Sequence, residues 1–165
     1  MEQKKTERIN RILTHPSYIE YVSQNAEKEQ DRVFCHHDMG HFLDVARLAE
    51  ILNLTEAYGQ DAELIYAAAL LHDIGRHIQY ETGEDHALVS ARMAPAILKD
   101  CGFMQEETEQ IVSAIATHRL AEARDRKDLN GLLYRADKLS RPCYCCKQES
   151  ACNWKGDKKN RQLIW

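Results

Sequence analysis

The sequence predicts an all-α fold built as a single domain. Three observations point there. Apolar residues recur at helical spacing over most of the chain. With 7 glycines and 3 prolines, the chain has little of the punctuation that many short strands would need. At 165 residues it is long enough for one full core and too short for two comfortable ones.

Residues 4–31 read as a charged helical lead-in, broken at Thr14-His15-Pro16, where Pro16 opens a second helix. Ile12, Leu13, Ile19 and Val22 supply its sparse apolar face. From His36 to Leu52 the pattern is strongly helical: Phe42, Val45, Ala46, Leu48, Ala49 and Leu52 line one side, and Asp44, Arg47 and Glu50 face out. Asn53 and Gly59 bracket a loop. Asp61 then caps a helix expected to end at Ile74, with Gly75 as its C-cap glycine. Thr82-Gly83-Glu84-Asp85 forms a loop that caps a helix starting near His86. Pro95 should kink that helix or split it in two, and Gly102 ends it. Gln105 to Arg119 is amphipathic, with Ile111, Val112, Ile115 and Ala116 inward and Glu106, Glu107 and Glu109 near its positive end. Arg124–Asp128 is loop. Leu129 to Ser140 is the last core helix, carrying Leu132, Leu133, Ala136 and Leu139. The chain thus divides into a lead-in packed on the domain (1–35), a core (36–141) and a cysteine-rich, basic tail (142–165).

Composition narrows the function. A net charge of −4 argues against bulk nucleic-acid binding through counterion release, yet leaves room for a small phosphorylated ligand if a metal supplies local positive charge. The first residues lack the apolar stretch of a signal peptide, and no run is long enough to span a bilayer. The expectation is a cytoplasmic protein without membrane contact. The residues do not predict its oligomeric state.

Ionisable residues then stand where a core should be greasy. The apolar run Ala67-Ala68-Ala69-Leu70-Leu71 ends in His72-Asp73. Buried imidazoles and carboxylates must be paired, hydrogen-bonded or metal-bound. His41 stands at the start of another apolar run, one helical turn after His37, so both project from one face. Asp137 interrupts the last core helix, His86 opens one helix and His118 closes another. Each alone reads as a structural hydrogen bond, as His15, His36 and His77 do. Together they allow a metal-centred site, and mixed imidazole and carboxylate donors suit Mn, Fe, Zn and similar divalent ions better than Ca. Spacing alone leaves both readings open.

Gly40-His41-Phe42-Leu43-Asp44-Val45-Ala46, Leu70-Leu71-His72-Asp73-Ile74-Gly75 and Arg135-Ala136-Asp137-Lys138 resemble, in order and helical setting, the H…HD…D signature of the HD superfamily of metal-dependent phosphohydrolases. The resemblance covers about His36 to Arg141. It implies that His41, His72, Asp73 and Asp137 bind one divalent ion (Mn, Fe, Zn, Mg, Ni or Co) and that Asp73 can bridge to a second. In two-metal members, histidines at places comparable to His86 and His118 hold that second ion. These two histidines could equally make substrate contacts or hydrogen bonds. The Gly-Tyr-Pro element of the cyclic dinucleotide phosphodiesterase branch is absent, and Arg119 follows His118 where that branch often has a second His.

The implied activity is hydrolysis of a phosphate ester or anhydride, with a small, nucleotide-like substrate and a metal-activated water. Asp73 would serve the chemistry as well as the metal, Arg76 would clamp phosphate, and His37 would orient substrate or water. Lys138 beside Asp137 and Arg119 beside His118 are lesser candidates for that clamp, and solvated surface charge is the favoured reading of both. The alternatives are a di-iron oxygenase of the same superfamily and a non-catalytic ligand-sensing module. Finally, Cys143, Cys146 and Cys152 are spaced to hold a structural zinc, although Cys145 is awkwardly placed as the fourth ligand, which would have to come from Cys35 or a histidine. Free thiols are the other reading of this tail.

Overall fold

The computed structural model describes residues 6–164 and is all-helical among them. Eight α-helices follow in order: α1 Glu7–Thr14, α2 Pro16–Lys28, α3 Met39–Thr55, α4 Ala62–Leu71, α5 Arg76–Thr82, α6 His86–Asp100, α7 Gln105–Thr117 and α8 Leu129–Leu139. The centre is α4. Its sequence AELIYAAALL is apolar almost all round, and Ala67 through Leu71 are fully buried. Such a helix is stable only when covered on every side. It is flanked by α3, α7 and α8, with α6 and α1 also in contact, and its three consecutive alanines let those neighbours approach closely.

Aspartates set the helix starts. The side chains of Asp38, Asp61, Asp85 and Asp128 accept hydrogen bonds from the first-turn amides of α3, α4, α6 and α8. The lead-in breaks as expected, with Pro16 at the first position of α2. Arg8 of α1 is ion-paired at 2.7 Å to both Glu63 of α4 and Glu107 of α7, which ties the lead-in to the core.

Five expectations need correction. The third helix starts at Met39, where Asp38 caps it, so His37 lies ahead of the helix and shares no helical face with His41. Ile19 is exposed; Tyr18 and Asn25 are what α2 buries. The helix of Asp61 stops at Leu71, and a separate short helix, α5, follows the turn at residues 72–75. Gly75 is not a C-cap in the left-handed region, since its φ is −88°. It is needed for closeness: a Cβ there would stand 2.6 Å from Val89 Cγ1 of α6. Pro95 does not split α6, which runs unbroken from His86 to Asp100.

Candidate metal centre

Six chain segments deliver ionisable side chains to one point. Asp38 holds the first turn of α3, which carries His41. The end of α4 delivers His72, and Asp73 follows in the turn. His86 opens α6, His118 ends α7, and Asp137 lies in the last turn of α8. His37 arrives from the loop before α3.

The Asp73 carboxylate stands at the middle, 1% exposed, with its two oxygens facing two groups of imidazoles. Oδ2 is 3.3 Å from His72 Nε2, 3.7 Å from His41 Nε2 and 3.8 Å from His37 Nε2. Oδ1 is 3.0 Å from His86 Nε2 and 3.7 Å from His118 Nε2. Asp137 Oδ1 joins the first group, 3.5 Å from His41 Nε2 and 3.9 Å from His72 Nε2. Within each group the paired Nε2 atoms, His41 with His72 and His86 with His118, are 3.3 Å apart.

The other nitrogen of each ring explains this convergence. His72 Nδ1 donates to the Ala69 carbonyl at 2.7 Å and His118 Nδ1 to the Ile115 carbonyl at 2.6 Å. His86 Nδ1 donates to Gln79 Oε1 at 2.8 Å. His41 Nδ1 lies 3.4 Å from Ser140 Oγ, whose own proton goes to the Asp137 carbonyl. With Nδ1 so engaged, Nε2 is the atom that all four rings present to the centre, and paired Nε2 atoms beside a carboxylate must share a proton or a cation. Donors about 2.1 Å from one ion, at angles of about 90–110°, are roughly 3.0–3.4 Å apart, the spacing these pairs show. Two sets meet the requirement among the described residues: His41, His72 and Asp73, and Asp73, His86 and His118.

The electrostatics agree with ligand chemistry. Burial would raise the Asp73 carboxyl, but the charges of His72, Arg76 and His37 outweigh it and hold the group well below the usual carboxylate range. Asp137 is likewise held ionised against burial, mainly by Lys138 and His72. Burial pushes His118 down to about 3, aided by the His72 charge, and lowers His86 against the pull of Asp73. Both are therefore neutral at pH 7, the state in which an imidazole binds metal. His72 is raised: burying the ring opposes this most strongly, but the charge and hydrogen bond of Asp73, joined by the Asp137 charge and the Ala69 carbonyl, together outweigh it.

Several residues of this site had no signal in the sequence. Glu29, at the end of α2, is 3% exposed and grips His37 twice: its Oε2 accepts from the His37 amide and its Oε1 from His37 Nδ1 at 2.5 Å. Tyr80 OH donates to the same Oε1 at 2.6 Å. Asn25, one turn earlier on α2, clamps the turn itself: Nδ2 donates to the Asp73 carbonyl, and Oδ1 accepts from the His77 amide. Gln79 and Ser140 orient His86 and His41. Only the four-residue spacing of Asn25 and Glu29 hinted at a shared polar face.

The cationic residues separate clearly. Arg76 Nε donates to Asp73 Oδ1 at 3.2 Å and Nη1 to Gln79 Oε1, and Nη2 has no partner among the described residues. Lys138 is committed to Asp137 Oδ2 and the His118 carbonyl, and Arg119 forms an exposed ion pair with Asp85. Solvent touches the site at His41, Asp137 and Arg76, whose side chains are 15, 13 and 21% exposed, whereas His86 and His118 are sealed. The tail thiols stand apart from both sets, and all six cysteines are free. No described helix is long and apolar enough to cross a membrane.

Comparison with known proteins supplies the context. The profile of the HD domain family matches residues 38–141. An uncharacterized protein of Clostridium beijerinckii is 44% identical over 96% of this chain and 99% of its own length. Ribonuclease Y of Rubrobacter xylanophilus is 34% identical over 48% of this chain, a match that spans 14% of that enzyme. Among solved structures, one described as a predicted HD superfamily hydrolase from an uncultured Thermotogales bacterium aligns with a TM-score of 0.62. It is 25% identical and covers 92% of this chain and 86% of that one.

Proposed function

The chain belongs to the HD domain family, and from that premise we propose that it is a metal-dependent phosphohydrolase acting on a phosphate ester or anhydride of a small, nucleotide-like molecule. The observation that carries this reading is the single Asp73 carboxylate set between two pairs of imidazole Nε2 atoms. His41, His72, Asp73 and Asp137 would hold one divalent ion, and Asp73, His86 and His118 a second. A divalent ion there supplies a water acidified to near-neutral pKa and a positive charge against a phosphoryl oxygen.

The chain's own residues do the rest. Substrate reaches the centre from the His41, Asp137 and Arg76 side, the edge open to solvent. Arg76, anchored through Nε and Nη1, offers Nη2 to a phosphoryl oxygen. His37, fixed through Nδ1 by Glu29, orients water or substrate with Nε2. The relatives named ribonuclease Y support phosphoester chemistry, although this chain spans only a small part of their length. A small substrate fits the net charge of −4 better than a long RNA does. The cysteine usage fits a reducing, cytoplasmic setting. Zinc at Cys143, Cys146 and Cys152 would be structural, since those thiols lie outside the imidazole sets.

The test is hydrolysis of a panel of nucleotides and phosphodiesters with added manganese, read as release of phosphate or of the phosphomonoester product, run on the protein and on His72→Ala. Release should be lost in the variant while helicity is kept. A carboxylate shared by two imidazole pairs also suits two iron ions, so oxygen uptake by iron-loaded protein, with no phosphate release, would favour an oxygenase. Nucleotide binding without turnover would make the domain a sensor.

A further inference from the structure

The segment after α8 is folded without a core of its own. Its regular pieces are two single 3₁₀ turns, Cys143–Cys145 and Gly156–Lys158, neither with a buried residue. Every described residue from Pro142 onward is exposed or half-buried. Short segments that bury so little are held by cross-links or metals more often than by packing.

Polar contacts nevertheless give the tail one course. Asn160 Nδ2 donates to the carbonyls of Lys138, Leu139 and Arg141, which folds the chain back onto the end of α8. Lys159 bonds Glu149, and the Arg141 guanidinium lies 4.2 Å over the Trp154 ring. Along this course the Cys146 amide closes on the Cys143 carbonyl at 3.3 Å and the Cys152 amide on the Gln148 carbonyl at 3.0 Å, two tight turns that carry three thiols.

A fourth thiol meets them from a distant part of the chain. Cys35, in the loop ahead of α3, has Cys143, Cys146, Cys152 and Arg141 as electrostatic neighbours. Burial pushes its thiol up, and the three tail thiols add to the rise while Arg141 opposes it. Of the other cysteines, Cys101 belongs to the hydrophobic core and Cys145 is exposed beside Cys146.

We propose that Cys35, Cys143, Cys146 and Cys152 form a four-thiolate zinc site that staples the tail to the loop ahead of α3. Four sulfur donors, two of them in a Cys-x2-Cys turn, are the donor set of closed structural zinc sites. Cys35 supplies the fourth ligand that the tail lacks. Arg141 offsets the excess negative charge that four thiolates leave around a divalent cation. These sulfurs are not gathered within 4.8 Å as the imidazole donors are, so binding draws the tail and the Cys35 loop together. Cys35 precedes His37 by two residues and Cys143 follows Ser140 by three. The staple therefore joins the two segments that flank the first imidazole set.

The test is zinc content of the full-length protein purified without chelator, beside His72→Ala, Cys145→Ser, Cys35→Ser and Cys146→Ser. His72→Ala and Cys145→Ser should each keep about one tightly held zinc at the thiols. Cys35→Ser and Cys146→Ser should lose it with helicity intact. In His72→Ala, cobalt(II) exchanged for zinc should show the thiolate charge-transfer band and intense visible bands of a tetrahedral thiolate site. Unchanged zinc in both Cys35→Ser and Cys146→Ser overturns the proposal, as does a cobalt spectrum without thiolate bands. Loss of zinc in Cys146→Ser alone overturns the part given to Cys35.

Discussion

Gly75→Ala tests how closely the turn after Asp73 must fit against α6. The backbone of Gly75, at φ −88°, suits alanine, so any effect is steric. The added Cβ would lie 2.6 Å from Val89 Cγ1, 2.8 Å from Val89 Cβ and 2.9 Å from the Ser90 amide nitrogen. Ordinary contacts between carbons are about 3.5–4.0 Å, so α6 must retreat by roughly 1 Å. Rotating Val89 does not help, because its Cβ and the Ser90 amide are fixed to the helix backbone. Overpacking of this kind costs about 1–3 kcal/mol, and stretching the 2.9 Å bond from the Gly75 amide to Ser90 Oγ adds about 1 kcal/mol.

The same retreat carries away His86, the first residue of α6, whose Nε2 is 3.0 Å from Asp73 Oδ1. Metal–ligand distances tolerate about ±0.2 Å. Gly75→Ala should therefore lose metal from the set containing His86 while retaining it at His41 and His72. Urea unfolding monitored by circular dichroism, with metal analysis of dialysed protein, reads both effects. A variant with the wild-type midpoint and the wild-type metal content would refute the reasoning.

Asp73→Asn should strip metal from both imidazole sets with little change in helicity, because each set uses one oxygen of that carboxylate; metal analysis and circular dichroism check it. Glu29, held at about 2 by His37 and Tyr80 against its burial, predicts an acid limb. Its folded pKa lies below the ordinary value of 4.5, so its stabilisation is complete above about pH 4.5 and lost as pH falls toward 2. Glu29→Gln should have a lower urea midpoint than wild type at pH 7, and the gap should narrow across that window. Tyr18→Phe should be neutral or stabilising by up to about 1–2 kcal/mol, since the Tyr18 hydroxyl is buried with no partner among the described residues. A clear drop in thermal midpoint would show a partner for that hydroxyl.

The helices were legible because their apolar stripes are strong and their aspartate caps are local. The residues of the imidazole sets were legible for a related reason: each is an ionisable group at the edge of an apolar run. What the sequence hid is what supports them. Asn25 bonds the Asp73 carbonyl across 48 positions and Tyr80 bonds Glu29 across 51, distances over which spacing carries no signal. The short α5 went unread because RHIQYET has no apolar stripe and buries only His77, while Asn25 and the left-handed Gly83 define its ends. Gly75 was misread because a glycine after a helix suggests a cap, and only the neighbouring α6 reveals the need for a missing side chain.

The two polar residues of α2 limit what can be transplanted. The family profile begins at residue 38, yet the clamp on the His-Asp turn and the grip on His37 come from Asn25 and Glu29. A graft confined to the profile would carry the imidazoles and carboxylates but leave behind the scaffolding that aligns them. Anyone moving this centre into another helical host must bring α2 along or rebuild its two contacts there.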